Sequence, residues 1–209
     1  MFFPPLHRQG NYPRTPDGVF FGYAHYLEHV AVDCQRRCVY CDAQADDVGG
    51  ADAMQLDHFR PKSFAEFALL INDPLNLHYS CGRCNLLKSN HWPARGSGAT
   101  HNGKDGFIDP FAEDRLAYFG IDVDGRIGAL QPPAGYMIRL LRLDREFLRK
   151  LREARRLRAV LRTRVGALRM RIARGGTVDA AELDTTLAAV EALLGQPGDA
   201  PDSPELHGS

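Results

Sequence analysis

The chain has 209 residues, of which 44% are hydrophobic and 25% are charged, and its formal net charge is zero. This size suits one sizeable core, or a small core with an appendage, in a globular protein. No 18-residue apolar run is present to cross a bilayer, and residues 1–5 lack the charged head and apolar core of a signal peptide. We therefore expect a cytoplasmic protein with reduced cysteines and no membrane partner.

The first elements in chain order are an arm and a helix. Residues 1–17 are rich in Pro, Gly and polar side chains, which predicts an irregular N-terminal arm. From Phe20 to about Gln35, aromatic and aliphatic residues recur at helical spacing, which predicts a helix. This helix would lead the chain to the first of its cysteine pairs.

Four of the five cysteines form two Cys-x-x-Cys pairs, Cys38 with Cys41 and Cys81 with Cys84. Thiolates at this spacing can bind one ion from a tight turn and suit tetrahedral zinc. We therefore predict one structural Zn²⁺ that ties together the two ends of the insert between the pairs. Cys34, four residues before the first pair, could compete as a ligand, but a buried free thiol is the preferred interpretation.

The insert between the cysteine pairs contains two polar motifs. Residues 46–52 have the Gly and acidic content of a solvent loop, and residues 56–63 read LDHFRPKS. Residues 64–71 are apolar enough for a short helix, which the Asn-Asp-Pro at 72–74 would end. Residues 76–88 read NLHYSCGRCNLLK and include the second cysteine pair.

Two further segments follow the insert. Residues 89–106 are dense in Gly, His, Asn and Lys and hold the only tryptophan, Trp92. This composition predicts either a loop that contacts substrate or a disordered insertion. Residues 116–123 and 126–130, joined by Asp124-Gly125, predict a β-hairpin with a tight turn.

The C-terminal region is predicted to be helical. A short helix spans Met137 to Leu141, and Asp144 is a suitable N-cap for a long amphipathic helix that ends at Gly175-Gly176. A second helix, Thr177 to Leu194, would pack back on the long one, and the residues after it would form a disordered tail. The predicted packing residues of the second helix are Leu183, Leu187, Val190 and Leu194.

Charge is distributed unevenly in this region. Residues 136–174 hold thirteen Arg and one Lys against three acidic residues, whereas residues 175–209 hold seven acidic residues and no Lys or Arg. Either the acidic helix or an external polyanion should neutralise the arginines. A solvated helix face is the plain alternative.

The motifs of the insert are similar to those of the HNH endonuclease family. That family combines a cysteine pair, an Asp-His-x-x-Pro segment, an Asn-Leu and a closing Cys-x-x-Cys-Asn-x-x-Lys, and the match covers about a quarter of the chain. The resemblance implies a ββα-metal core: a strand with Asp57 and His58, a loop, a second strand near residues 77–80, and a short helix with Asn85 and Lys88.

The resemblance also implies roles for individual residues. Asp57 and Asn85 would hold a catalytic Mg²⁺ or Mn²⁺ through oxygen ligands, and His58 would accept a proton from the attacking water. Asn76 would fix the loop that orients His58. A scissile phosphate would face the ion, with DNA as substrate. The residues expected to contact nucleic acid are Arg60, Lys62, Lys88, Arg152 and Arg156, while His78, His91 and His101 are weaker candidates for contacts to phosphate or metal.

A second resemblance concerns the setting. HFRPKS at residues 58–63, with the Leu-rich segment at 140–144 that leads into the Arg-rich helix, is similar to HNH proteins of the Septu and retron-linked anti-phage systems. Those proteins work beside an ATPase subunit, which implies an ATPase partner here. Asp57 stands where many of them carry Glu.

Together these observations predict an α+β protein with a zinc-stapled ββα-metal core and a mainly α-helical C-terminal region. The predicted units are an arm at 1–17, a nuclease domain at 18–131, an Arg-rich helical region at 132–195 and a tail at 196–209. The predicted function is metal-dependent DNA cleavage in anti-phage defence or restriction. The alternatives are a zinc-stabilised binding module without catalysis and an RNA-cleaving HNH nuclease.

Overall fold

The computed structural model describes residues 2–94, 96 and 98–194, and side chains up to residue 191. It is an α+β arrangement of short helices and two small antiparallel sheets. The α-helices are α1 (Leu27–Asp33), α2 (Gly82–Lys88), α3 (Ala134–Leu140), α4 (Glu146–Ala173) and α5 (Ala180–Leu194). The strands are β1 (Met54–His58), β2 (Leu77–Cys81), β3 (Phe119–Ile121) and β4 (Ile127–Ala129). None of the helices in the described ranges combines the length and apolar character needed to cross a membrane.

The centre of the fold is the β1–β2 hairpin followed directly by α2. The strands pair so that Met54 lies opposite Cys81 and His58 lies opposite Leu77. Every residue of β2 is buried, and the strand contacts both α1 and α2. The strand with Asp57 and His58, the second strand near 77–80 and the short helix with Asn85 and Lys88, which the resemblance implied, are therefore present in this order.

The N-terminal arm is irregular, as expected, but it belongs to the core. Phe3 is 2% exposed and Leu6 is 4% exposed. The Phe3 ring stacks on Phe119 of β3 with 5.4 Å between centroids, and Arg115 donates to the carbonyl of Pro4 at 2.6 Å. The arm thus joins the first hairpin region to the second.

Two predicted helices differ from the observed structure. The helix expected from Phe20 to Gln35 is a 3₁₀ turn at Tyr23–Tyr26 followed by α1, and it ends where Gln35 and Arg36 take positive φ angles of 53°. The apolar stretch at 64–71 forms a 3₁₀ helix, Ala65–Leu70. The apolar spacing of these segments therefore indicates helical character but does not distinguish an α-helix from a 3₁₀ helix.

Residues 89–106 are packed at one end by Trp92. Its side chain is 7% exposed and its ring lies 5.2 Å from Phe59, 5.9 Å from Phe67 and 5.9 Å from Phe107, measured between centroids. The described part of this segment is therefore anchored to the core, and Trp92 is a core residue rather than a contact for substrate.

The β3–β4 hairpin is shorter than predicted but turns at the expected place. The Asp122 carboxylate accepts from the backbone N–H groups of Asp124 and Arg126 at 3.0 and 2.8 Å, which closes the turn. Gly125 has φ +76°, and a Cβ at this position would lie 2.3 Å from the carbonyl oxygen of Arg149. Only glycine allows α4 to approach the turn this closely.

Helix α4 begins at Glu146 with Arg145 as its N-cap residue, one position after the predicted Asp144. Its first half buries Leu148 and Arg152 against the core, and its second half buries Leu161 and Leu168 against α5. It ends near Gly175, where φ is +75°. The two halves of one helix therefore bury different faces.

Helix α5 packs on α4 differently from the prediction. Thr186 is 4% exposed, whereas Leu183 and Leu187 are 45% and 51% exposed, so these two leucines do not form the contact with α4. Val190 is half-buried, and the side chain of Leu194 lies outside the described part. The tail predicted at 196–209 also lies outside the described residues.

Candidate metal centre and catalytic site

The four predicted zinc ligands come together. The Sγ atoms of Cys38, Cys41, Cys81 and Cys84 all lie within 4.8 Å of one another, and all four residues are buried. Four thiolates at this separation match the donor set of a tetrahedral structural zinc site. The cluster could therefore hold a metal ion such as zinc. Cys34 is buried outside the cluster, and burial raises the pKa of its thiol to about 11, as expected for an inert thiol.

Each cysteine pair sits in a turn that points both thiols in one direction. In the first pair, Cys38 N–H donates to the Ala43 carbonyl at 2.8 Å, Asp42 N–H donates to the Cys38 carbonyl at 2.9 Å, and Asp42 has φ +64°. In the second pair, Cys81 ends β2 and Cys84 lies in the first turn of α2. The hairpin, α2 and the first turn thus converge on the cluster.

Arginines of the C-terminal region surround the cysteine cluster. Nη2 of Arg145 lies 4.0 Å from Sγ of Cys84. Burial alone would lower the pKa of Arg145, but the thiols of Cys84 and Cys41 raise it above the usual value. Nη1 of Arg155 donates to the carbonyl of Asp42 at 2.6 Å and to its carboxylate at 3.1 Å. Arg145 would offset part of the negative charge of the cluster if its thiolates held a divalent ion, whereas Arg155 neutralises the aspartate next to Cys41.

Asp57 lies at the centre of a buried polar network. Nζ of Lys88 lies 3.1 Å from Oδ1 and 3.0 Å from Oδ2 of Asp57, and Lys88 also donates to the carbonyl of His58 at 2.8 Å. The Tyr40 hydroxyl donates to the same carboxylate. Burial raises the pKa of Asp57 although Lys88 opposes the shift, and Asp57 is 4% exposed.

This network corrects two predictions. Lys88 is 0% exposed, so its ammonium group cannot reach a phosphate of nucleic acid as the sequence suggested. The oxygens of Asp57 are already bonded to Lys88 and Tyr40, whereas Asn85 donates its amide N–H to Gln55 at 2.7 Å, which leaves its Oδ1 free among the described residues. The Asp57 carboxylate, neutralised by Lys88, therefore does not fit a site for Mg²⁺ or Mn²⁺.

His58 is positioned as a proton acceptor. Its Nε2 lies 2.9 Å from the carbonyl oxygen of Ile71, and because a carbonyl only accepts, Nε2 carries the proton and Nδ1 keeps its lone pair. Nδ1 makes no hydrogen bond within the described residues and keeps some contact with solvent, although His58 as a whole is only 7% exposed. Burial lowers the pKa of His58, which keeps the ring neutral near pH 7.

Asn76 holds the loop that carries the partner of His58. Its Oδ1 accepts from the Arg60 N–H at 2.9 Å, and its Nδ2 donates to the carbonyls of Arg60 and Leu70 at 3.1 and 3.3 Å. The loop runs from Arg60 to Ile71 and so includes the carbonyl that orients His58. Asn76 thus ties the two ends of this loop together, and its support of catalysis stays a prediction.

The residues expected to contact nucleic acid divide by exposure into three groups, which are exposed, half-buried and buried. Lys62 is exposed, with Nζ 4.9 Å from the Tyr23 ring centre, and its charge lowers the pKa of His58. Arg60 is half-buried, with its guanidinium carbon 5.8 Å from the Trp92 ring centre. Arg156 is exposed and makes no ion pair within the described ranges.

Arg152 belongs, with Lys88, to the third group, the buried residues, and corrects the prediction. It is 2% exposed and donates to the carbonyls of Gly125 and Leu143 at 2.7 and 2.9 Å. Burial lowers its pKa to about 10. Arg152 therefore joins α4 to the β3–β4 turn and has no surface with which to contact nucleic acid.

The remaining histidine candidates do not gather at one site. His78 is 1% exposed, its ring stacks on Phe59 at 4.5 Å, and burial lowers its pKa well below the usual value. His91 is exposed, and Nδ1 of His101 accepts from the Gly103 N–H at 3.2 Å within its own turn. None of the three contacts the cysteine cluster in the part of the chain that the structure describes.

Tyr40, Arg145 and Arg155 are functional neighbours that the sequence did not single out. Tyr40 lies between Cys38 and Cys41, and an aromatic hydroxyl in that position is a signal that could have been followed to Asp57. No protein-family model matches the chain, and no curated protein sequence is significantly similar to it. Function must therefore be inferred from the cysteine cluster and the geometry around His58.

Proposed function

We propose that this protein is an HNH-type endonuclease that hydrolyses phosphodiester bonds in DNA, with zinc as a structural ion. The observation that carries the proposal is the state of His58, whose Nε2 is fixed on the Ile71 carbonyl while Nδ1 remains free. This imidazole stands on β1 of a β1–β2–α2 unit that resembles the ββα core of that family. Asn76 supports the proposal because it fixes the loop that orients the ring.

The proposed reaction uses His58 as a general base. Nδ1 accepts a proton from a water molecule, and the water oxygen forms a new bond to phosphorus. The bond from phosphorus to the 3′ oxygen then breaks, and that oxygen takes a proton from solvent. A neutral histidine is needed for the first step, and the lowered pKa of His58 keeps this form populated at physiological pH.

Cations near His58 are proposed to bind the phosphate. Lys62 is exposed and close enough to influence the pKa of His58, so its ammonium group can approach a phosphate placed against Nδ1. Arg60 lies on the same loop as Lys62, and its backbone is hydrogen-bonded to the side chain of Asn76. Donors aimed at a phosphate oxygen stabilise the charge that develops as the bond to water forms.

A catalytic Mg²⁺ or Mn²⁺ is part of the family resemblance, where it would stabilise charge on the phosphate and the leaving oxygen. Asp57, which was predicted to hold the ion, does not fit it here, because Lys88 neutralises its carboxylate. We therefore assign the proton transfer to His58 and derive no step through the ion. The divalent ion is a variable of the experiment below.

The biological setting is proposed from the resemblance alone. The HFRPKS segment at 58–63 is similar to HNH proteins of anti-phage systems, so we propose anti-phage defence or restriction, an ATPase subunit as partner, and a cytoplasmic location. A nuclease of this kind needs restraint in its host, and a partner subunit could provide it.

The second candidate is a zinc-stabilised binding module without catalysis. It is favoured by the closed network of Asp57, in which Tyr40 and Lys88 satisfy the carboxylate without an ion. Such a module would bind nucleic acid or protein equally well in EDTA mild enough to spare the zinc.

Cleavage of supercoiled plasmid distinguishes the two candidates. Wild type, His58→Ala and His7→Ala are compared in Mg²⁺, Mn²⁺ or EDTA, with a single-stranded RNA substrate in parallel. His7 is an exposed histidine outside the site and serves as the matched control. We expect nicking by wild type and His7→Ala and a loss of about 10²-fold or more in His58→Ala, as expected for removal of a general base.

Three outcomes would contradict the proposal. Cleavage by His58→Ala at the wild-type rate, with both proteins folded by circular dichroism, removes the assigned base. RNA cleavage without DNA cleavage changes the substrate. DNA binding in a gel-shift assay without any cleavage favours the binding module.

A further inference from the structure

The far half of α4 and α5 form a two-helix hairpin beyond the zinc core. The Arg171 guanidinium binds the Glu182 carboxylate, with Nη1 at 2.6 Å and Nη2 at 3.2 Å, and this pair closes one side of the hairpin. Leu161, Leu168 and Thr186 are buried between the helices. The two helices run antiparallel from a short connection. A residue of α4 and a residue of α5 that are equally many positions from the Arg171–Glu182 pair therefore lie at the same height, measured along the helix axes.

The side of the hairpin opposite this ion pair is an apolar strip. Residues separated by three, four or seven positions return to the same face of a helix. We define the hairpin strip by Val165, Ile172, Leu183, Leu187 and Val190. Ile172, Leu183 and Leu187 are 59%, 45% and 51% exposed, respectively, which is unusual for three large apolar side chains along one seam.

Each edge of the hairpin strip carries one sign of charge. On α4, Arg158, Arg162 and Arg169 follow each other at intervals of four and seven residues beside the strip. On α5, Asp184 and Glu191 are seven residues apart beside its other edge. All five side chains are exposed, and within the described residues none of them forms an ion pair.

The heights of these charges match across the strip. Arg169 and Asp184 are each two residues from the Arg171–Glu182 pair, and Arg162 and Glu191 are each nine residues from it. Among the described residues, no ion pair joins the members of either matched pair within one chain, so all four charges remain available to a partner.

We infer that the hairpin strip binds the hairpin strip of a second copy of this chain, with the two-fold axis parallel to the helices. Rotation about that axis places the α4 edge of one copy against the α5 edge of the other. It leaves the position of each residue along the helix axes unchanged. The arginine edge of one copy then faces the acidic edge of the other, with Arg169 opposite the partner's Asp184 and Arg162 opposite the partner's Glu191. The apolar residues meet between these edges and form a four-helix bundle.

A two-fold axis across the helices is disfavoured by the same charges. It would keep each edge on its own side and place arginine against arginine and carboxylate against carboxylate, which is repulsive. The charge pattern therefore selects one of the two possible face-to-face pairings.

A second copy explains more of this surface than a polyanion would. A nucleic acid could neutralise the three arginines, but its phosphates would be repelled by Asp184 and Glu191 and would leave the apolar strip exposed to water. The inference does not depend on catalysis, since no residue of the hairpin strip belongs to the proposed site.

The test is the mass of the full chain in solution. Light scattering after size exclusion and sedimentation velocity are carried out over a range of concentrations, with zinc present. We expect wild type to reach about twice the chain mass of 23.2 kDa. The variants are R162E/R169E, D184R/E191R and the combination of all four changes, with R164E as control because Arg164 is exposed on the side of the Arg171–Glu182 pair.

Each pair of charge reversals should weaken association about tenfold or more, because like charges then face each other across the interface. The fourfold variant should recover dimerisation, since the opposite charges again face each other, and R164E should remain dimeric. Circular dichroism checks that each variant keeps its helices.

Several results would overturn the inference. Wild type could be monomeric at every concentration, or the fourfold variant could fail to recover although it is folded. A monomer in which R162E/R169E reduces binding to duplex DNA, while D184R/E191R does not, would assign the arginine edge to a polyanion instead.

Discussion

Replacement of Lys88 by methionine should destabilise the protein strongly, because it leaves the Asp57 carboxylate buried without its cation. Lys88 is fully buried and holds both oxygens of Asp57 at 3.0–3.1 Å, together with the His58 carbonyl at 2.8 Å. Removal of one member of a buried ion pair costs about 3–5 kcal/mol. For a chain of this size, that loss lowers the melting temperature by about 6–20 °C.

The assay is urea unfolding followed by far-UV circular dichroism for wild type, Lys88→Met, Asp57→Asn and the double variant, at fixed zinc. The double variant should recover at least half of the loss, since a neutral amide is easier to bury than an unpaired carboxylate. Burial already raises the pKa of Asp57, and the loss of Lys88 raises it further. Stability tied to a raised pKa is lost as pH rises through that pKa, so the deficit of Lys88→Met should shrink toward low pH.

Two results would refute this reasoning. Lys88→Met within about 1 kcal/mol of wild type would mean that the ion pair does not stabilise the fold. A rise in the melting temperature of wild type on addition of Mg²⁺ that Asp57→Asn abolishes would mean that Asp57 binds a divalent ion after all.

Three further predictions concern the metal, the base and the second hairpin. Elemental analysis should show that Cys81→Ser loses its bound zinc, and the variant should also lose cooperative unfolding because roughly 10 kcal/mol of metal binding is removed. Cys34→Ala should keep one zinc per chain, and equal zinc in both variants would contradict the four-cysteine site. Because burial lowers the pKa of His58, the cleavage rate should rise with pH below about 6.5 and level off above it. A cleavage rate that falls as the pH rises to about 6.5 would exclude neutral His58 as the base. Gly125→Ala should lower the free energy of unfolding by about 1–3 kcal/mol in thermal unfolding, because the new Cβ meets the backbone of α4. Gly128→Ala has open space around it and should change stability by less than about 0.5 kcal/mol, and equal effects of the two variants would contradict the steric argument.

The sequence was sufficient to locate the centre of the fold. The positions of β1, β2 and α2 were implied by the family resemblance that the motifs carry, and the two Cys-x-x-Cys pairs meet because each sits in a turn that directs its thiols inward. The position of Asn76 at the loop came from the same resemblance.

Side-chain direction could not be obtained in the same way. The motif contains Asp57, Lys88 and Asn85 at the expected spacings, but spacing does not reveal that Lys88 turns inward onto Asp57 while Asn85 meets Gln55. The roles of Lys88 and Asp57 were therefore wrong as predicted contacts for phosphate and ion, because burial depends on partners far away in the chain, among them Tyr40.

The arginines of α4 illustrate the same limit. The helical period of the sequence defines faces, but it does not say which neighbour covers each face along the helix. Arg145, Arg152 and Arg155 bind the thiol cluster, the second hairpin and Asp42, so part of the apparent polyanion-binding column stabilises the fold. The exposed leucines of α5 were misplaced for the same reason, because Thr186 occupies the seam.

The two burial faces of α4 divide a continuous helix into segments of different local stability. Arg155, bound to Asp42 and Asp47, is the last ion pair from α4 to the core around the four cysteines among the described residues. We expect backbone amides before it to exchange their hydrogens only when that core opens, and those after it to be protected by α5 alone. The end of the helix should then unwind and reform without disturbing the cysteine cluster, and the boundary between these two kinds of exchange lies within a single unbroken helix.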